Sequence, residues 1–123
     1  MSHFTKVKTT FTDGEALKRA LASLGFKVLD GRAVAGWRGR TAHAEFKVKA
    51  SPNSSYEIGF SKQQTRYELV SDWSMNQVNQ SRFVNELTRA YGREVVVAEL
   101  ERQGYVLEKE VVEKSELRIT LRR

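Results

Sequence analysis

The chain has no cysteine, one proline and only two histidines, and each shortage removes a class of chemistry. Without cysteine there are no disulfides, thiolate zinc sites, cysteine-held iron–sulfur clusters or cysteine nucleophiles. His3 and His43 alone make at most a partial metal site needing carboxylate help. Glu45 beside His43 is too little for catalysis without a positioned nucleophile, so both read as surface or edge residues. There is no phosphate-loop lysine motif, no nucleophile elbow and no spaced carboxylate pair. The residues thus point away from an enzyme, and no cofactor or metal is expected. No apolar run approaches the roughly 18 to 20 residues of a membrane-spanning helix, and the opening Met1 to Lys6 lacks the apolar core of a signal peptide. A reducing compartment, the cytoplasm or an organellar equivalent such as the plastid stroma, is the expected location, with no membrane partner.

What is present suits one globular domain over residues 1–123. At 123 residues the chain can bury one core and is too short for two, and 40% hydrophobic with 29% charged residues indicates neither disorder nor a fibrous class. The formal charge of +6 is uneven: residues 1–66 carry a net +7 and residues 67–123 a net −1. A basic first half can mark a polyanion-binding face, but an ordinary solvated surface is the favoured reading, since a soluble protein must carry net charge of some sign.

Periodicity supplies the elements. His3 to Phe11, rich in Phe, Val and Thr, reads as a strand. Thr12 or Asp13 can cap a helix whose stripe is Ala16, Leu17, Ala20, Leu21 and Leu24, with Gly25 as its stop. Phe26 to Leu29 reads as a short strand, and 30–40, with three glycines, as mostly loop. From Thr41, alternation sets Ala42, Ala44, Phe46 and Val48 on one face and His43, Glu45, Lys47 and Lys49 on the other. After the Ser51–Ser55 turn, Tyr56, Ile58 and Phe60 alternate, and Tyr67 and Leu69 return the chain to complete a meander. Glu45, Lys47, Lys49, Glu57, Arg66, Glu68, Arg118 and Arg122 are expected along a wet sheet face carrying cross-strand ion pairs.

Asp72 is expected to cap the following loop and Trp73 to anchor it. Phe83, Val84, Leu87 and Tyr91 share a face of a second helical region near 80–103, which Gly92 either interrupts or merely weakens. Tyr105–Val111 and Leu117–Leu121 then form a hairpin. The order β-α-β-β-β-β-α-β-β predicts an α+β fold: a single, largely antiparallel sheet with two helices packed on one face. Leu21–Leu29 also echoes Leu100–Leu107, each a helix, a Gly stop, an aromatic and a strand. That echo is either a duplication or the common grammar of helix-to-strand turns.

The best candidate for binding is Gly36-Trp37-Arg38-Gly39-Arg40. Glycine permits close backbone approach, Arg38 and Arg40 can fork onto phosphate or carboxylate, and Trp37 offers a stacking face. Arg32, at the start of the same glycine-rich stretch, is a further candidate cation. The Gly-x-x-Gly core is only weakly like that of the KH module, which sets it between helices, whereas a strand follows here. The structural alternative is a connection whose Trp37 packs on the core edge while its arginines stay solvated.

The opening Met1–Thr9, the Gly36–Thr41 loop, Tyr56–Phe60, Tyr67–Val70 and Gln103-Gly104-Tyr105 together resemble a domain-of-unknown-function family. Its type members are the hypothetical chloroplast reading frame thirty-five proteins of cyanobacteria and algal plastids. The similarity spans nearly the whole chain. Trp37 stands where a Tyr is expected, and the Trp73 region lacks further aromatics, departures that suggest a divergent or non-photosynthetic member. The resemblance implies a small soluble cytosolic or stromal protein and no reaction. Relatives tend to be encoded near a ferredoxin-like protein and an AAA-type ATPase, which makes those two candidate partners.

Two functional expectations follow. The first is a non-catalytic interaction or accessory protein using the Gly36–Arg40 loop and an adjoining sheet edge. The alternative is RNA or DNA binding by the basic N-terminal half. An open sheet edge would also permit a homodimer.

Overall fold

The structure is a computed structural model that describes residues 4–30, 33–35, 41–73, 78–104, 106–113 and 116–122, the last two segments as backbone. The strands and helices are β1 (Thr5–Lys8), α1 (Gly14–Ser23), β2 (Leu29–Asp30), β3 (Ala33–Ala35), β4 (Thr41–His43), β5 (Phe46–Lys49), β6 (Glu57–Gln63), β7 (Arg66–Ser71), α2 (Gln80–Arg102), β8 (Val106–Glu113) and β9 (Glu116–Arg122). Strands β1-β7-β6-β5-β2 make a five-stranded sheet, antiparallel throughout, while β3–β4 and β8–β9 form separate two-stranded ladders. The fold is α+β with both helices on one sheet face, as periodicity predicts.

Register explains that face. Phe46 pairs with Phe60, Phe60 with Leu69, and Leu69 with Val7, so one apolar row crosses four strands. Phe46 and Phe60 stack with centroids 5.1 Å apart. Against this row pack Leu17, Ala20 and Leu21 of α1 and Phe83, Leu87 and Ala90 of α2, all buried. Burying a side chain of this size is worth roughly 1.5–3 kcal/mol. These contacts, rather than intrinsic propensity, hold the helices down.

Local chemistry sets the helix ends. Asp13 caps α1, its carboxylate accepting from the N–H groups of Glu15 (3.0 Å) and Ala16 (3.2 Å). At the other end Phe26 N–H donates to Leu21 and Gly25 N–H to Ala22, with Gly25 at φ +91°. This pair of hydrogen bonds is the usual glycine-terminated helix stop. Asn79 caps α2 through the N–H of Arg82. The two helices are linked directly: the Tyr91 hydroxyl accepts from the backbone N–H of Thr12 and of Asp13, each at 3.1 Å. At the end of α2, Gly104 likewise has positive φ. The echo between the two helix-to-strand junctions therefore includes the same left-handed glycine.

α2 runs unbroken through Gly92, which is exposed and has nothing within 4 Å of the position a Cβ would take. Trp73 packs on Phe83 with centroids 6.1 Å apart, and so anchors the segment after β7, where Asp72 is buried.

Alternation misleads at two places. The stretch 30–40, expected to be mostly loop, contains β3, which pairs with β4 through Ala33–His43, Val34–Ala42 and Ala35–Thr41. The expected continuous strand from Thr41 is broken at Ala44 and Glu45. Phe46 and Val48 face the helices, but Ala42 and Ala44 join Val34 and Val70 in a second cluster on the opposite face. One residue of slip reverses which face a side chain takes, and the break at 44–45 supplies it. The second face is therefore partly covered, not uniformly wet. Arg118 and Arg122 belong to the separate β8–β9 ladder rather than to that face.

Glycine substitutions separate the two environments. Gly92→Ala should stabilise the protein by about 0.5–1 kcal/mol, since a helical Ala costs less backbone entropy and meets no neighbour. Gly59→Ala would place its Cβ 2.3 Å from Val34 Cγ2 and 2.8 Å from Ala44 Cβ. It should destabilise by about 1–3 kcal/mol through overpacking. Urea unfolding of both variants checks the pair; equal effects would contradict the close seating described at Gly59.

Candidate functional site

Trp37, Arg38 and Arg40 lie outside the described residues, as does Arg32, so the structure speaks to their frame and not to them. That frame is the β3–β4 hairpin, since the segment 36–40 joins the pair Ala35–Thr41. It sits across the second face of the main sheet over β6 and is held there in two ways.

The first hold is steric. Gly59 occupies the middle strand, and Val34, fully buried, fills the space its missing side chain leaves. Ala44 and Val70 complete the small apolar seat, with Phe4 and Ala42 at its margin. The second hold is electrostatic. Lys47 and Glu57 form a diagonal cross-strand ion pair at 3.0 Å, their side chains only 19% and 11% exposed. Both also reach β3: Ala35 N–H donates to Glu57 Oε1 (2.8 Å), and Lys47 Nζ donates to the Ala33 carbonyl (2.8 Å). A half-buried ion pair that satisfies two backbone groups loses little to solvent screening, and removing either partner strands the other. The expected ion pairing on this face is thus real, but its role is to clamp a hairpin.

Neither Lys47 nor Glu57 stands out by residue type on an alternating strand. Gly59 is the legible signal, because a glycine inside a strand pattern often marks close approach of another backbone.

On the helix side, the Tyr67 phenol titrates well above its ordinary range. Burial, then the charge of Glu45 and its hydrogen bond with the phenol, push Tyr67 from 10.0 up to about 12. The hydroxyl lies beneath the start of α1, so close that a Cβ on Gly14 would meet it at 2.4 Å. A phenol protonated at neutral pH and wedged there acts as a donor and a strut, not as a base.

His43 is exposed on β4, and no group of three or more His, Asp and Glu side chains able to hold a metal gathers among the described residues. No helix among them is long and apolar enough to cross a membrane. Lys6 and Lys8 are exposed on β1, one of the two outer strands of the main sheet.

These features describe a small α+β sheet protein whose second face carries a clamped hairpin. The chain belongs to the family described as "Protein of unknown function (DUF1257)", whose model matches residues 20–120. It is 31% identical over 132 residues to "Uncharacterized protein ycf35" of Guillardia theta, covering 100% of this chain and 98% of the relative. It is 29% identical over 128 residues to the protein of the same description in Cyanophora paradoxa, again covering 100% and 98%. This is the family that the sequence motifs resemble. No solved structure matches the chain.

The Tyr67 shift predicts an alkaline signature. With the folded value raised above the unfolded one, the protonated phenol's contribution is complete below pH 10. It is lost as pH rises toward 12, at up to about 1.4 kcal/mol per pH unit. Denaturant unfolding between pH 9 and 11.5 should show a steeper loss in the native protein than in Tyr67→Phe; parallel curves would contradict the buried phenol.

Proposed function

We propose that this protein is a non-catalytic interaction factor that binds a protein partner through residues 36–40, presented by the β3–β4 hairpin. The observation that carries the reading is the clamp: Val34 seated on Gly59, with Lys47 and Glu57 bonded to the backbone of Ala33 and Ala35. A hairpin secured at its root loses less conformational freedom when its connection is engaged, which favours affinity. The connection carries Trp37, Arg38 and Arg40, residue types that dominate binding hot spots. Arg32 immediately precedes β3 and adds a cation at the other end of the same strand.

Affinity purification from the native host should recover a partner with the native chain. Recovery should fall by about tenfold or more with the combined Trp37, Arg38 and Arg40 alanine substitutions, the loss typical of truncated hot spots. Glu57→Ala, which leaves residues 36–40 intact, should reduce recovery while the protein stays folded by circular dichroism. An AAA-type ATPase and a ferredoxin-like protein are the first candidates to look for. Undiminished partner recovery with the triple variant would refute the reading. Nucleic acid lost in place of protein would replace it with binding by the basic N-terminal half.

A further inference from the structure

At the end of the sheet a half-open groove of about 700 Å³ lies between the glycine-stopped end of α1 and the β5–β6 turn. Its apolar wall is Leu24, Phe26, Leu29 and Pro52. Leu24 is 37% exposed, unusual for a leucine at the end of an otherwise buried stripe. Lys27 and Lys49 are the charged residues of the lining, both exposed, and no carboxylate lines it with them. Neither lysine has an ion-pair partner among the described residues. The groove therefore combines apolar surface with two uncompensated cations.

A second observation concerns the backbone. β5 extends to Lys49, yet β2 pairs only with Phe46 and Lys47. Beyond Lys47, no strand lies on that edge of β5 among the described residues. Continuing the register would set Lys27 opposite Lys49, and like charges directly opposed disfavour pairing. The ladder stops there and leaves a short open sheet edge beside the groove.

We infer that this corner receives an extended acidic peptide segment of a partner protein, independently of the hairpin connection. The segment adds main-chain bonds to the open edge of β5, places an apolar side chain against Leu24, Phe26 and Leu29, and sets carboxylates on Lys27 and Lys49. Strand addition of this kind draws affinity from main-chain bonds and specificity from side-chain pockets. Two cations beside an apolar wall suit such a segment better than a nucleic-acid backbone, which calls for a longer run of positive charge. An acyl chain would stay wet along the open side, whereas small apolar ligands are mostly enclosed.

The test uses the full chain, nitrogen-15 labelled, and a blocked heptapeptide probe of alternating Glu and Val with a central Phe. Amide shifts should concentrate at Lys27, Leu29, Lys49 and Ser51 and saturate. Binding should weaken with added salt and fall by about tenfold in the double variant Lys27→Glu, Lys49→Glu, as expected for a charge-complementary contact. Both lysines are exposed, so the variant should fold, which its spectrum verifies directly. A probe with Lys in place of Glu should not bind. The Trp37, Arg38, Arg40 triple alanine variant should bind the acidic probe as the native chain does, so failure here is separable from failure of the hairpin reading. The inference is overturned by absent or dispersed shifts, by equal binding of the Lys probe, or by an unaffected double variant. It is equally overturned if laurate, an oligonucleotide or a second copy of the chain occupies the groove and the acidic probe does not.

Discussion

The second face of this protein is organised around the space left by Gly59. It lies in the middle strand of the main sheet, between Lys47 and Val70 in register, and the side chain it lacks is the volume that Val34 occupies. Everything placed on that face depends on this vacancy. Without it Val34 and Ala44 could not seat, β3 would stand off the sheet, and the Lys47–Glu57 pair would lose the backbone groups it satisfies. The ion pair then does what a bare apolar contact does not: it fixes β3 along its length, because its bonds reach two residues of a three-residue strand.

The opposite face follows the more common logic of a sheet covered by two helices. Its apolar row is continuous, its helices are capped by Asp13 and Asn79, and Tyr91 joins α2 to the start of α1. The two faces meet at Glu45. Its carboxylate is near enough to the Tyr67 phenol beneath α1 to help raise that group's pKa, while its N–H donates to the Phe60 carbonyl where the chain crosses from the hairpin to the main sheet. The break that redirects Ala42 and Ala44 is thereby tied into the layer beneath the helices.

The helices, the capping region of α1 and the apolar row were legible in the sequence because each rests on short-range spacing, whereas the Asn79 cap of α2 was not read. The stripe from Ala16 to Leu24, the glycine stop at Gly25 and the alternation at Phe46, Val48, Ile58 and Phe60 all report their own local geometry. The course of Ala42 and Ala44 was not legible, since the pattern from Thr41 to Lys49 is unbroken as text and its reversal comes from contacts with Val34 and Val70. Gly92 was ambiguous for a related reason: propensity disfavours it, but the buried face of Phe83, Leu87 and Ala90 carries the helix through. Of the candidate site, residue types at 36–40 could be read directly. Of their support only Gly59 left a mark, as a glycine inside a strand pattern; Lys47 and Glu57 acquire meaning only once β3 is laid across them.

The most direct test of this account is a nuclear Overhauser measurement between the Val34 methyl groups and the Gly59 α-protons in the full chain, which lie on strands distant in sequence. The account predicts a strong cross-peak, together with slow exchange of the Ala35 amide bonded to Glu57. No cross-peak, with Ala35 exchanging at the rate of an unstructured peptide, would show that the hairpin is not seated on the sheet and would remove the basis for the proposed function.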